Sequence, residues 1–378
     1  MSDPNEAAHF AQALAQPHVG DYSEEVTYAL EQARIFARCP RYVGHEAMVP
    51  KPGDWRTLPQ EDGGRVLLRN ALGEVQLLSN VCRHRQAKIL GHRATGEARG
   101  NLAAAGHHIV CPLHAWTYSD RGELIGAPHI EPTPCRHLPR FALHRCNGLL
   151  FEGPHDPSAE LAPLFARPEF DFSGHALGHV EVHRCRCNWK TFIEIYNDDY
   201  HIGPFHPGLG RFVSCDDLAW EFGNHHSLQR VSARPGLADA GSPAYQDWHD
   251  RLLAHGDGQT PAFGAIWVSC YPTLMIEVFP QALVLSTLHP QGPRETLNTM
   301  EFYYPDEVLA FDPELALAHR TAYLETAVED DEIAERMDAG RRALHSRGET
   351  DHGPYQSPME DGMRHFHAWY RRMMAARA

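Results

Sequence analysis

The sequence predicts an α+β protein of two domains, a small antiparallel-β domain followed by a larger domain of mixed helix and sheet. Three observations predict it. At 378 residues the chain is long enough for two domains of ordinary size. Between Tyr42 and about Gly153, short apolar bursts alternate with turn signals, the texture of short antiparallel strands. From Ala262 to Tyr304 a second alternating stretch gives way to a helical final third. The expected divisions are a helical segment over 1–40, the β domain over 41–155 and the α+β domain over 156–378.

In chain order, Glu24 to Arg38 places Val26, Leu30, Ala33 and Phe36 at helical spacing, with Ser23 as the expected cap. Cys39-Pro40 ends that helix. The runs Arg65 to Leu68, Val75 to Leu78 and His108 to Val110 read as strands, bounded by Pro52-Gly53, Asp62-Gly63-Gly64, Asn70 to Gly73 and Asp120-Arg121-Gly122. The proline-bearing stretch from Gly153 to Gly174 reads as a linker. After it come a helix-like segment rich in His and Asp around 188–209, then the sheet strands within 262–304. Asp312-Pro313 supplies a cap and a first-turn proline for the last helix. Its apolar face is expected to hold Leu317, Leu324, Val328, Ile333 and Met337.

Composition narrows the function. With 34 basic and 49 acidic residues the net charge is -15, which disfavours binding to a phosphate backbone, so nucleic acid is not expected as a partner. The first 20 residues carry no basic and apolar leader pattern, and no run approaches a membrane span, so a cytoplasmic protein without a membrane partner is expected. Nine cysteines scattered through such a chain suit metal binding or buried thiols better than disulfides. Cys185-Arg186-Cys187 lies on an alternating segment and reads as strand cysteines. Most of the 27 histidines must be ordinary core or surface residues.

Two short pairs stand out, Cys82-Arg83-His84 and Cys111-Pro112-Leu113-His114. Each offers a thiolate and an imidazole. Two loops with this content can hold an iron–sulfur cluster with two Cys on one iron and two His on the other, and the same four residues can hold a tetrahedral zinc. Pro112 biases Cys111 toward an extended backbone that projects its side chain. The flanking text, NVCRHR over 80–85 and CPLHAWTYSDRGELIGAP over 111–128, resembles the cluster-binding loops of Rieske [2Fe-2S] domains. Relative to that family the gap between the loops is long, its extra length falling within 91–106 as an expected surface loop. Gln86 and Ala115 stand where glycine is usual.

Residues 188–208 read NWKTFIEIYNDDYHIGPFHPG. His201 and His206 would be about 140° apart on one helix, so the chain must bend between them, and Gly203-Pro204 is the expected break. Two histidines and a carboxylate with open positions form the facial triad of non-haem iron(II) oxygenases. Asn188-Trp189-Lys190 followed by Asp198, His201 and His206 resembles the mononuclear iron motif of Rieske oxygenase catalytic domains. The resemblance spans about residues 40–340. It implies a third ligand in the acidic step Glu329-Asp330-Asp331-Glu332, Asp330 first and Asp331 as runner-up, with Asp338 departing from a usual glutamine. On a helix Asp198 would share a face with His201. The resemblance gives Asp198 the further role of passing electrons from a neighbouring subunit's cluster to the iron, with Asp199 and Glu194 as competitors, while orientation of His201 is its simpler role. Tyr196 and Tyr200 are expected to pack near the iron.

Together the resemblances imply the terminal oxygenase alpha subunit of a Rieske non-haem iron oxygenase. They imply a Rieske domain, a helix-grip catalytic domain, O2 as co-substrate and a homotrimer in which each cluster serves a neighbour's iron. The chain has no dinucleotide fingerprint and no plant-type ferredoxin spacing, so NAD(P)H would act only through a separate reductase, with or without a ferredoxin. The alternative from another class is an electron carrier or zinc-stabilised binding protein without catalytic iron. The substrate is expected to be a small molecule, an aromatic ring or a quaternary or N-methyl amine, with Trp267, Tyr271 and Arg294 as candidates for recognising one or the other.

Overall fold

The computed structural model describes residues 16–91, 98–132 and 134–376. The chain forms two compact units, Pro40–Phe172 and a second made of the segment up to Cys39 with Ser173 onward. The first unit is antiparallel β. Strands β2 (Asp54–Thr57), β3 (Arg65–Arg69), β4 (Val75–Ser79), β5 (Arg99–Asn101) and β9 (Arg140–Phe141) form one sheet in the order β5-β2-β3-β4-β9. Strands β6 (His108–Val110), β7 (Thr117–Ser119) and β8 (Leu124–Gly126) form a second, and β1 (Arg41–His45), β11 (Leu149–Glu152) and β10 (His144–Cys146) a third. Val66, Leu68, Leu78, Ile109, Trp116 and Tyr118 build a shared core beside the two expected cluster loops.

Within the stretch expected to be an inserted loop, residues 92–97 lie outside the described residues. After them, β5 pairs with β2, with Asn101 opposite Asp54. The linker expected after Gly153 also differs. Helix α2 (Ser158–Phe165) and the turn after it belong to the β unit, so the units divide after Phe172 rather than at 155. The Ser158 hydroxyl donates to the Arg145 carbonyl at 3.1 Å, Asn147 Nδ2 donates to the Phe170 carbonyl at 2.8 Å, and Phe172 packs on His45 with ring centroids 4.7 Å apart.

The second unit is built on seven antiparallel strands: β12 (His175–Cys185), β13 (Val213–Phe222), β14 (His226–Ala233), β15 (Ala265–Cys270), β16 (Leu274–Phe279), β17 (Ala282–Gly292) and β18 (Glu295–Pro305), in the order β12-β18-β17-β16-β15-β14-β13. One face of the sheet packs against α4 (Pro243–His255) and the long helix α5 (Pro313–Ser346) through Trp248, Phe279, Val284, Phe302 and Ala322. A second cluster joins Tyr271, Met275 and Leu288 to α3 (Trp189–Tyr196) and α6 (Asp361–Ala375). Asp312 caps α5 as expected, accepting from the Leu315 amide.

Two helical faces match expectation only in part. In α1 (Glu25–Glu31) Val26 is 71% exposed, whereas Thr27, Glu31 and, in the following turn, Ile35 face inward. Ser23 does not cap it, and the position before the helix is Glu24 without a side-chain bond. The polar Glu31 is buried because Trp189 Nε1, Lys190 Nζ and the Tyr370 hydroxyl all donate to its carboxylate. In α5 the expected Leu324, Ile333 and Met337 pack against the core at its margin, Leu317 and Val328 are exposed, and the fully buried stripe includes Leu315, Ala318, His319, Ala322, Ala334 and Asp338. Small side chains occupy the centre of the contact, and the larger apolar residues that pack do so beside it. The N-terminal segment, expected to stand apart over 1–40, packs in this unit from residue 16 onward, and its first 15 residues lie outside the described residues.

Candidate active site

The two Cys/His loops of the β unit close in the same way. The Cys82 amide donates to the Ala87 carbonyl at 2.9 Å and the Gln86 amide returns to the Cys82 carbonyl at 3.1 Å. In the second loop the Cys111 amide donates to the Trp116 carbonyl at 2.8 Å and the Ala115 amide returns to the Cys111 carbonyl at 3.1 Å. Each turn needs a left-handed residue, and Gln86 (φ 58°) and Ala115 (φ 55°) occupy those positions without being glycine. The loop geometry therefore survives both departures.

Cys82 and Cys111 are buried, while His84 is half-buried and His114 exposed, 4.7 Å apart between ring centroids. His84 stacks on Trp116 at an interplanar angle of 6°, which fixes its ring. The Tyr118 hydroxyl accepts from the Arg83 amide at 3.1 Å and lies 3.4 Å from Cys82 Sγ, so its proton is directed at sulfur. Burial pushes the Cys82 thiol up, yet the Tyr118 hydrogen bond, with others from the loop backbone and Cys111, brings it below the usual value. Inner thiols cradled by donors and outer imidazoles facing solvent suit a two-iron cluster with mixed ligands.

In the second unit His201, His206 and Asp330 converge. His201 Nε2 and His206 Nε2 are 3.0 Å apart, and Asp330 Oδ1 lies 3.5 Å from the first and 3.1 Å from the second. Asp330 Oδ1 is buried without a well-formed hydrogen bond. Two imidazole nitrogens and one carboxylate oxygen within reach of a single cation fit a facial triad. Asp331 points elsewhere, with Oδ2 3.6 Å from His183 Nδ1.

The local chain path differs from expectation. α3 ends at Tyr196, a short helical turn runs Ile202–Phe205 with Gly203-Pro204 inside it, and a bend at residues 197–200 separates the two. Asp198 and His201 therefore do not share a helical face. They meet because Asp198 Oδ1 accepts from the Tyr200 amide at 2.7 Å, leaving Oδ2 3.3 Å from His201 Nδ1. Burial opposes a charge on His201, but hydrogen bonds to Asp198 and Asp330 lift it to about 10. Tyr200 is 60% exposed and does not pack at this site, whereas Tyr196 does.

Of the competing acids, Glu194 is fully buried and is occupied by Tyr22, Arg341 and His367. Asp338 receives the Asn188 amide at 2.7 Å and the Thr191 hydroxyl at 2.5 Å, which fastens the start of α3 to α5. Sequence reasoning missed Glu329, whose Oε2 lies 2.7 Å from His206 Nδ1 and orients that ring. An acid one residue before Asp330 on a helix was visible, but the turn of α5 that aims it was not. Cys185 and Cys187 are buried in an apolar cluster with Ile195 and Ala334.

A cavity opens beside the triad. Phe192, Tyr196, Trp248, Trp267, Phe279 and Tyr323 supply rings, and Asp198, Asp199 and Glu277 supply carboxyl groups in addition to Asp330. The described residues that line it include no lysine or arginine. Of the three recognition candidates, only Trp267 lines it. Tyr271 packs against α6, and Arg294 is exposed. Glu277 is also a residue that sequence reasoning passed over, although a lone acid inside the apolar strand LMIEVF was its signal.

Residues 40–141 match the family described as the Rieske [2Fe-2S] domain, and residues 172–376 match the ring hydroxylating alpha subunit catalytic domain. The chain is 62% identical over 379 residues to the putrescine 2-hydroxylase of Bordetella bronchiseptica, covering 99% of this chain and 88% of that protein. It is 55% identical to the putrescine 2-hydroxylase of Ralstonia nicotianae, covering 99% and 100%. The glycine betaine monooxygenase oxygenase subunit of Chromohalobacter salexigens is 25% identical, covering 100% and 92%. The fold is shared with a crystal structure of a quaternary ammonium Rieske monooxygenase in complex with L-carnitine, at a TM-score of 0.71 and 20% identity over 95% of each chain. Both halves of an oxygenase are thus present, and the carrier and zinc alternatives do not account for the second half.

Proposed function

Since the chain belongs to the family of Rieske-domain, ring-hydroxylating-type alpha subunits, we propose that it hydroxylates a small aliphatic diamine of the putrescine type. The protein is the terminal oxygenase of a Rieske non-haem iron system. It carries a Rieske [2Fe-2S] cluster and a mononuclear iron, uses O2, draws electrons from a separate reductase or ferredoxin and works as a multimer.

The observation that carries the substrate reading is the sign of the cavity. A carboxylate substrate would meet four carboxyl groups and, among the described lining residues, no lysine or arginine, and a neutral arene would leave the buried Asp199 and Glu277 without a cationic partner. A cationic amine satisfies them. Relatives that act on putrescine and glycine betaine point to amines in preference to aromatic rings.

In this reading Cys82, Cys111, His84 and His114 hold the cluster, and His201, His206 and Asp330 hold the iron. Bound there, the iron supplies O2 activation and the cluster supplies single electrons. The chain's own residues do the rest. Glu329 fixes the His206 ring and Asp198 the His201 ring, and the aromatic walls keep water from the reacting carbon. Asp198 is also the relay toward a neighbouring subunit's cluster, which makes a homotrimer the working assembly. His114 and Leu113, exposed at a loop tip, suit such a contact. No helix among the described residues is long and apolar enough to cross a membrane. The proposal places the protein in the cytoplasm, where reduced nicotinamides feed such reductases.

The test is turnover of 1,4-diaminobutane with a surrogate reductase under 18O2. The expected product is the amino alcohol carrying one 18O atom. Oxygen uptake that diamines do not stimulate would refute the substrate assignment.

A further inference from the structure

Glu277 sits where an ordinary sheet would carry an apolar residue. It is on the central strand β16, between Met275 and Phe279 on one face, and only 3% of it is exposed. Register places it in a row across three strands, with Trp267 beside it on β15 and Gln229 beyond on β14. All three line the cavity. A carboxyl group this deeply buried is costly unless it is paired. Yet among the described residues its one hydrogen-bond donor is the neutral Tyr323 hydroxyl, 2.7 Å from Oε1, and no cationic side chain pairs with it. Burial pushes its carboxyl up to about 8, the mark of an acid that lacks a cation.

Gln229 makes the same demand independently. Its Nε2 donates to the Tyr196 carbonyl at 3.1 Å, which fixes the amide, and its Oε1 is left buried with no donor. A buried carboxyl without a cation and a buried amide oxygen without a donor, in one row of one cavity, call for a ligand group that is both positive and rich in N–H. The rings around them complete the setting. Phe279 lies edge-on to Trp267 with centroids 6.2 Å apart and to Tyr323 with centroids 6.0 Å apart. A protonated amine gains from such π faces as well as from oxygen acceptors.

We propose that Glu277 is the ammonium anchor of this enzyme: with Gln229 Oε1 as second acceptor and Trp267, Phe279 and Tyr323 as walls, it binds one primary ammonium end of the diamine. The inference rests on the diamine reading above and deepens it. The carbon chain is then held between this anchor and the triad, which lines the same cavity. A trimethylammonium group has no N–H to give either acceptor, so the subsite separates primary amines from the quaternary amines that more distant relatives take.

Calorimetric titration of the anaerobic oxygenase with 1,4-diaminobutane, its N-permethylated analogue and the neutral isostere 1,4-butanediol tests the anchor directly. Wild type is expected to favour the diamine over both by about 100-fold or more, because the permethylated dication offers neither acceptor an N–H and the diol brings Glu277 no positive charge. Glu277→Gln is expected to weaken diamine binding by a similar factor and to abolish its preference over the diol, with iron content and cluster spectrum unchanged. Gln229→Leu, which leaves the charge in place, is expected to weaken the diamine about tenfold. Diamine binding by Glu277→Gln within threefold of wild type, or by Gln229→Leu unchanged where the first variant does not fold, overturns the anchor alone. Wild type that does not bind the diamine overturns the substrate reading and the anchor with it.

Discussion

Replacing Lys190 by methionine is expected to destabilise the catalytic unit while leaving both metal sites intact. Lys190 and Glu31 are paired with both side chains fully buried, Nζ to Oε1 2.6 Å. Nζ also donates to the Asp21 carbonyl at 3.0 Å and lies 5.0 Å from the Tyr22 ring centroid. Methionine keeps most of the stem's volume and removes the charge. Glu31 is then left with two neutral donors, Trp189 Nε1 at 2.9 Å and the Tyr370 hydroxyl at 2.7 Å. Removing one member of a buried pair costs about 3–5 kcal/mol, and the two surviving donors place this case near the lower end. For a domain of this size each kcal/mol moves Tm by roughly 2–4 °C, so a fall of about 6–12 °C is expected by scanning calorimetry. Adding Glu31→Gln removes the stranded charge and is expected to recover much of the loss, a coupling that a double-mutant cycle reads directly. A Tm within 2 °C of wild type for the single variant, or a double variant less stable than the single, would refute the reasoning.

Asp330→Ala is expected to lower iron from about three to about two per chain with acid-labile sulfide and the visible spectrum unchanged, whereas Asp331→Ala keeps all the iron. Asp198→Asn is expected to retain both centres and diamine affinity while slowing steady-state turnover by about 100-fold; an unimpaired rate would reject its role. Glu194 gives a pH signature. Burial raises its carboxyl, but the Arg341 charge and the hydrogen bonds from His367 and Tyr22 outweigh burial and hold it at about 2. A carboxyl depressed on folding stabilises fully above its unfolded value of about 4.3 and loses that contribution as pH falls through 2, here about 3 kcal/mol. Glu194→Gln is therefore expected to flatten the acid limb of stability between about pH 4.5 and 2, and urea titrations that keep the wild-type slope there would count against this account.

The sequence alone determined the chemistry of both centres. Cys82, His84, Cys111 and His114 are legible because their spacing is local, and each loop closes on itself through bonds within five residues. The same holds for His201 and His206, although Gly203-Pro204 does not break the chain between them: one helical turn, Ile202–Phe205, separates the two, and the chain leaves helical geometry at His206. The strand texture of both units and the cap at Asp312 were legible for the same reason, since period and turn chemistry are properties of neighbours along the chain. Tertiary structure decided what depends on distant partners. Asp330 and Asp331 are adjacent on one helix, and only the packing of α5 aims the first at the histidines and the second at His183. Glu31 reads as a solvent residue until Trp189, Lys190 and Tyr370 are seen around it. Glu277 reads as an interruption in an apolar strand until Trp267 and Gln229 are seen beside it on β15 and β14, and Tyr323 of α5 against it, in one cavity. A buried charge is favourable only when its surroundings are known, and those surroundings come from parts of the chain that no local pattern connects.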